Sequence, residues 1–400
     1  MVLLNLLVLG AGLAAAHPGH DGTAEMRERA AYMATLEKSD LVHCASKLAS
    51  RGEMQRTVER RREMLRHLRQ KRGLDPDAPH LRPRQVTAGP LAKTHKSDLK
   101  IPGLGLSSGF DVDWALLGQN KTTILSPEVT EGPYYIAGEF IRRDIREKEP
   151  GVALHLDVQI IDMKSCTPVP GIAVDLWHAN SSGVYSGIGG FGNGNAADTS
   201  NLQNKALRGI QVSDKQGAVV FQTVMPGHYM GRTNHVHVMT QLNVTINPNN
   251  TISGGRVAHV GQLYFDQALL DAVSAIPPYS TNKNQRMLNA QDFLVQQGSA
   301  GGSDPVVEYV LLGNTLADGI FAWSNFGIDA SANRRVMAAA TCGADGCKAA
   351  PNPFGALGDA LGALFGGFFG KGGPPKGPKG QGGPKGMNPQ GMAPPAPPAL

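Results

Sequence analysis

Between residues 152 and 265, apolar side chains recur at every second position in short runs separated by turns. That period restricts the segment to a β-sheet fold. Val152, Leu154, Leu156, Val158 and Ile160 alternate with less apolar neighbours. Successive side chains of a strand point to opposite faces, so this run reads as a half-buried strand. Ile172, Val174 and Leu176 repeat the pattern, and residues 207–213, 218–224, 235–242 and 262–265 read as further strands. Strands so separated predict a mainly β chain: an antiparallel β-sandwich with N-terminal helices and a disordered C-terminal tail. A core of about 220 residues can bury enough apolar surface for stability.

The ends of the chain differ from this middle. Residues 2–16 are almost wholly apolar and close on Ala14-Ala15-Ala16. They read as a secretory signal peptide at 1–16, too short to cross a membrane, and no other segment is long and apolar enough to cross one. Residues 17–73 form a helical segment, in which Met54, Val58, Leu65 and Leu68 recur at helical spacing. A Pro/Gly-punctuated linker at 74–104 leads to the sandwich domain at 105–349, and 350–400 is a Gly/Pro/Lys-rich tail. The four cysteines suit an oxidising compartment. Cys342 and Cys347 would close a tight loop, leaving Cys44 to pair with Cys166, the favoured one of three connectivities. In a secreted chain the sequons at Asn120, Asn180, Asn243 and Asn249 become glycosylation candidates, Asn243 and Asn249 foremost.

His235 and His237 form an H-x-H pair within the alternating run Asn234-His235-Val236-His237-Val238-Met239. On a strand both imidazoles share one face while Val236 and Val238 point into the core. Two buried, hydrogen-bonded histidines would be the plain reading of that pattern. Tyr229 and Arg232, just upstream, favour a metal site, and a second tyrosine cluster lies in Glu131-Gly132-Pro133-Tyr134-Tyr135. Two imidazoles and two phenols make an oxygen/nitrogen donor set without thiolate or carboxylate. A phenol titrates near roughly 10, so binding as phenolate at neutral pH requires about 4 kcal/mol of stabilisation. A trivalent cation supplies that readily, and oxidised iron suits such donors better than zinc does.

The run Glu131-Gly132-Pro133-Tyr134-Tyr135, the run Asp175-Leu176-Trp177-His178-Ala179-Asn180 with Gly183-Val184-Tyr185-Ser186, and the segments Pro226-Gly227-His228-Tyr229 and Arg232-Thr233-Asn234-His235-Val236-His237 together resemble the intradiol ring-cleavage dioxygenases. The resemblance is closest to their secreted fungal branch and covers roughly 105–330. It implies a non-haem Fe(III) enzyme that inserts both atoms of dioxygen between the hydroxylated carbons of a catechol, giving muconate-type products. It implies metal ligation by Tyr135, Tyr229, His235 and His237. Tyr229 would be the phenolate that leaves and takes up a substrate proton. Arg232 would stabilise negative charge on the ring, and Gln262 would line the pocket. His178 reads as structural, and Trp177 and Tyr185 as core or pocket wall. His228 is read as lining the entrance or as an exposed loop histidine. The glycine- and asparagine-rich stretch 187–204 reads as a lid. The interval between Tyr229 and His235 is much shorter than in bacterial catechol-cleaving members, so a loop that walls their pocket is missing here.

The net charge of +5 is concentrated in the appendages. Residues 51–72 carry nine basic residues against three glutamates, and the tail adds Lys371, Lys376, Lys379 and Lys385. No aromatic residues interleave these charges to stack on bases, which argues against nucleic-acid binding. The partners expected are a small aromatic diol and dioxygen. Homodimer formation and contact with a cell wall through the basic helix or tail stay open. The alternative function is a noncatalytic, wall-associated β-sandwich on the same scaffold.

Overall fold

The computed structural model describes residues 41–78, 131–189, 193–194, 198–299, 304–343 and 346–349. The signal peptide, most of the linker, Asn120 and the tail from 350 onward lie outside the described residues.

Helices α1 (Ala45–Ser50) and α2 (Glu53–Lys71) come first. Strands β1 (Ile136–Ala137), β2 (Ala153–Asp162), β3 (Thr167–Pro168), β4 (Ala173–Trp177), β5 (Arg208–Val212), β6 (Ala218–Val224), β7 (His235–Ile246) and β8 (Ile252–Tyr264) follow. Helices α3 (Gln267–Ser274) and α4 (Phe293–Gly298) lead to β9 (Glu308–Leu311), β10 (Ile320–Ile328), β11 (Ala340–Gly343) and β12 (Gly346–Ala349). One large sheet runs β3-β2-β10-β9, with β6 also paired to β2; the other runs β5-β4-β7-β8. Their strand pairs are antiparallel except β2 with β10, which run parallel. A small third sheet, β1-β11-β12, lies beside them in the chain's pairing scheme.

The expected sandwich is present. Leu154, Leu156, Val158 and Ile160 of one sheet share a cluster with Val174, Leu176, Val236, Val238 and Leu263 of the other, all without exposed surface. Each such side chain contributes roughly 1.5–3 kcal/mol by leaving water. The apolar half of the alternation therefore builds the space between the sheets. Strands β9 and β10 and most of β8 extend the framework beyond the strands expected from the sequence.

The other half of β2 departs from expectation. The strand is buried on both faces, not one. Helix α2 covers the second face, and the buried polar residues of β2, His155, Asp157 and Gln159, each meet a polar residue of the helix or its end. Thr57 donates to Gln159 Oε1 at 2.9 Å. Arg60 and Arg61 both reach Asp157, whose side chain has no exposed surface. Arg72 donates to the His155 ring at 3.0 Å. Val58, Leu65 and Leu68 fill the gaps against Phe321 and Trp323 of β10. The basic helix thus spends Arg60 and Arg61 on the sheet, and Arg69 on the carbonyls of Leu312 and Ala78. It is not simply a solvated face.

Both favoured disulfides are formed, Cys44–Cys166 and Cys342–Cys347. The first ties α1 to the turn after β2; the second clasps the β11–β12 hairpin.

Burial pushes the Asp157 carboxyl up, but the two guanidinium groups more than offset this and hold it below its usual range. A depressed carboxylate contributes stability above its unfolded value of 3.8 and loses it as pH falls through the lower folded value. Asp157→Asn is expected to cost about 3–5 kcal/mol at pH 7, because two buried cations lose their counter-charge. Urea unfolding should show the gap to the unaltered protein narrowing below pH 4. Removing Cys44–Cys166, which spans 122 residues, should cost about 2–5 kcal/mol, more than removing Cys342–Cys347, which spans 5. Melting of the two double-serine variants compares them directly.

Candidate metal centre

The site lies on the outer face of the second sheet, away from the core between the sheets. Alternation along β7 sends Val236 and Val238 inward and leaves His235 and His237 on the other side. Trp177 of β4 sits opposite His237 in register, and its indole stacks on the imidazole at 4.8 Å and 3°. On the other flank, Gln262 and Tyr264 of β8 are the register partners of His237 and His235.

Loops then close over this face. Asn180 Oδ1 accepts from the Ser182 and Val184 amides, forming a tight turn. Gly183, at φ +82°, crosses the Pro226–Tyr229 loop so closely that a Cβ there would lie 2.2 Å from the His228 carbonyl oxygen. The turn brings Tyr185 back above the histidines. Asn193 locks its backbone by accepting from Tyr185 N at 2.7 Å and donating to Tyr185 O at 2.8 Å.

The result is a cluster of three donor atoms. Tyr185 Oη lies 3.2 Å from His235 Nε2 and 3.1 Å from His237 Nε2, and the two nitrogens are 3.1 Å apart. Burial, with the nearby Arg232 charge, depresses His235 to about 3, so its imidazole is neutral. Its Nδ1 hydrogen is donated to the Thr233 carbonyl at 2.7 Å, which leaves Nε2 as a bare lone pair. The Tyr229 ring meets His235 and Tyr185 edge-on at 5.6 Å each. Its hydroxyl is buried beside Tyr185 and Arg232, which both act on it, but it forms no hydrogen bond of regular geometry.

This donor set fits a cation. Lone pairs crowd into a few ångströms with fewer hydrogens than acceptors, and the second phenol stands by unmatched. Burial raises both Tyr185 and Tyr229 above the usual phenol range; Tyr229 adds to the rise at Tyr185, while Arg232 and Tyr185 offset part of the rise at Tyr229. The protein alone therefore keeps the phenols protonated, and only a strong Lewis acid could make them phenolates. Hard trivalent iron matches the oxygen/nitrogen composition.

The phenol that meets the imidazoles is that of Tyr185, not Tyr135. Tyr135 turns away: its ring packs on Trp177 at 5.2 Å, and its hydroxyl lies in the field of Asp175, Glu139 and Glu131. The reason is alternation again. Tyr134 and Tyr135 lead into β1, which pairs with β11, and adjacent residues of an extended chain point to opposite sides. Tyr134 stacks on Tyr185 at 4.5 Å, while Tyr135 faces the Asp175–Glu139 carboxyl pair. The Glu131–Tyr135 segment is a cover: Gly132, at φ +72°, passes within 3.2 Å of His237 when given a Cβ. The signal for Tyr185 was available in Gly183 and Asn180, which form a reversing turn just after the strand that pairs with His237.

Arg232 is fully enclosed. Its Nε donates to Asp292 at 2.8 Å, and its Nη2 donates to Gln262 Oε1 at 2.6 Å and Tyr264 Oη at 3.1 Å. Its Nη1 is buried without a partner. Burial would lower the guanidinium, but Asp292 more than offsets this and keeps it charged. Asp292 also accepts from the Thr233, Leu294 and Val295 amides, capping α4. Asp292 and Tyr264 were not recognised from the sequence, because 60 residues separate Asp292 from Arg232. His178 holds the expected structural place, bonded to Thr223 Oγ1 and the Ala179 carbonyl. His228 is neither entrance nor exposed loop: it is buried and bonded to the Asn284 carbonyl.

Residues 129–276 match the Dioxygenase family model Dioxygenase_C. Among curated relatives, the catechol 1,2-dioxygenase of Acinetobacter baylyi is 30% identical over 148 residues, covering 35% of this chain and 44% of that one. Catechol 1,2-dioxygenase 1 of Acinetobacter lwoffii is 29% identical over 211 residues, covering 49% and 62%. The chain thus spans about half the length of the curated relatives it matches. The solved structure of an intradiol ring-cleavage dioxygenase from Tetranychus urticae is 31% identical and covers 53% of this chain and 98% of its own, with a TM-score of 0.44. None of these relatives bears on the fungal branch. The matched segment carries all four motifs and both histidines, and the chain belongs to the intradiol ring-cleavage dioxygenase family.

Proposed function

We propose that the protein is a non-haem Fe(III) dioxygenase that opens catechol-type rings between the hydroxylated carbons, with Tyr185, Tyr229, His235 and His237 as the metal donors. The observation that carries this reading is the convergence of Tyr185 Oη and two imidazole Nε2 atoms within 3.2 Å, with the unmatched Tyr229 hydroxyl alongside. Bound there, ferric iron would supply a Lewis acid that the two catechol oxygens can chelate and that activates the ring toward dioxygen.

The chain's own groups divide the remaining work. Tyr229 is held by no hydrogen bond of regular geometry, so once deprotonated its oxygen would be the donor that accepts a catechol proton. Arg232 is a fixed cation in a dry site, where it stabilises negative charge developing on the ring far better than it would in water. Asp292, Gln262 and Tyr264 hold that guanidinium in one orientation. Trp177 and Thr233 fix the planes of His237 and His235.

Secretion belongs to the same proposal. It is supported by the apolar segment 2–16, two disulfides, and exposed sequons at Asn243 and Asn249. Asn180 uses its side chain within a turn, so it is the poorer glycosylation acceptor. The wall-attachment alternative relied on the basic helix and the tail; three of the helix's arginines are engaged inward, and the tail lies outside the described residues.

Ferric reconstitution of the full chain should give a visible phenolate-to-iron absorption band and oxygen uptake with catechol, protocatechuate or hydroxyquinol. A colourless, iron-free protein overturns the reading. Tyr185→Phe should weaken iron retention by about 100-fold or more, whereas Tyr135→Phe should keep both iron and colour. Metal content by mass spectrometry separates the two. Arg232→Leu should leave iron bound and slow turnover by about 10²–10³-fold. Asp292→Asn should lower turnover by about 10–100-fold with the absorption band unchanged, as expected of a group acting through Arg232.

A further inference from the structure

A second polar cleft lies where helix α2 meets the outer face of the first sheet, with a volume of about 300 Å³. Helix α2 and its end contribute His67, Lys71 and Arg72; the segment before β2 contributes Arg143 and Arg146; β2 contributes His155. Its lining includes no carboxylate. Asp144 pairs with Arg146 at 2.6 Å, and Asp318 attracts Arg72 without forming an ion pair. Lys71 and Arg143 have no carboxylate partner among the described residues, and Arg143 rests only against the Met64 sulfur.

At the floor of the cleft is an unmatched donor. His155 is 4% exposed. A guanidinium can only donate, so the contact from Arg72 Nη2 makes His155 Nε2 the acceptor. The neutral ring then carries its hydrogen on Nδ1, and that buried atom has no partner. The crowding of positive charge is felt by the groups themselves. Burial and then Arg72, Arg146 and Arg143 hold His155 at about 3, and burial and Arg146 lower Arg72. Like charges have been brought together around a donor that lacks an acceptor, at a place the catalytic reading does not use.

We propose that this cleft binds a compact phosphate-bearing small molecule. A multiply charged tetrahedral oxyanion can accept from two guanidinium groups and an ammonium at once, and it relieves the repulsion between Arg72 and Arg146. The volume lies at the lower end of that of small-ligand sites, which limits the ligand to a few phosphate groups or a small phosphorylated metabolite. Since α2 and its end line one side of the cleft, and β2 and the segment before it line the other, occupancy clamps the helix onto β2 and raises stability by mass action.

The test uses the full-length, iron-loaded protein and sodium pyrophosphate as probe, in buffer containing 150 mM NaCl. Calorimetry should give one site per chain, and the melting temperature should rise with pyrophosphate concentration. Arg143→Gln/Arg146→Gln alters exposed or half-exposed side chains; it should fold, keep its oxygen uptake, and bind pyrophosphate about tenfold or more weakly. No heat at millimolar pyrophosphate, or equal affinity in the double variant, overturns the proposal. A parallel arm uses phosphatidylcholine vesicles with and without phosphatidic acid. Sedimentation with the acidic vesicles, lost in the double variant and unaccompanied by pyrophosphate binding, would assign the cleft to a lipid headgroup and overturn the soluble ligand.

Discussion

The two-residue repeat of β7 is the constraint on which the site depends. Val236 and Val238 are locked in the core between the sheets, and a slip of one residue would exchange them with His235 and His237. Burying two imidazoles in the core and exposing two valines would be costly enough to fix the register. Positioning of the proposed metal donors is therefore a by-product of core packing. The neighbouring strands inherit that register: Trp177 stacks on His237 because β4 pairs with β7, and Gln262 and Tyr264 reach Arg232 because β8 does.

A second alternation governs the other sheet. On β2 the apolar residues face the core, while His155, Asp157 and Gln159 face helix α2 and find partners there. A buried ion pair has little net worth over an apolar contact of the same shape, yet it penalises any helix position that leaves a charge unmatched. The Arg60–Asp157–Arg61 contact thus specifies where α2 lies, and apolar contacts with Phe321 and Trp323 supply the attraction.

The sandwich was legible because period-two patterning survives without any tertiary information. Most of β8 was not seen because residues 252–256 include two glycines and are largely exposed. The second buried face of β2 was invisible for a different reason. Histidine, aspartate and glutamine on a strand look solvated until a helix with matching arginines is folded over them. The histidine pair, Tyr229, Arg232 and Gln262 came together as the sequence implied, since all lie on or beside β7 and β8. Tyr135 did not, and Tyr185 took its place among the imidazoles. Which of several tyrosines reaches the face depends on turn geometry at Asn180 and Gly183 and on the direction of β1, neither of which a motif encodes. Asp292 was missed because only the closure of a long excursion after β8 brings it beneath Arg232.

The parallel pairing of β10 with β2 has a kinetic consequence. β10 lies between β2 and β9 in the first sheet, although it is among the last strands of the described residues. Until residues 320–328 have emerged from the ribosome, β2 presents an open edge, and the centre of its sheet is missing. Contacts of such long sequence separation form slowly. The face that carries the proposed metal donors is encoded early, but the layer that backs it is completed from the far end of the domain, so a nascent chain must keep an unfinished sheet shielded until late in its synthesis.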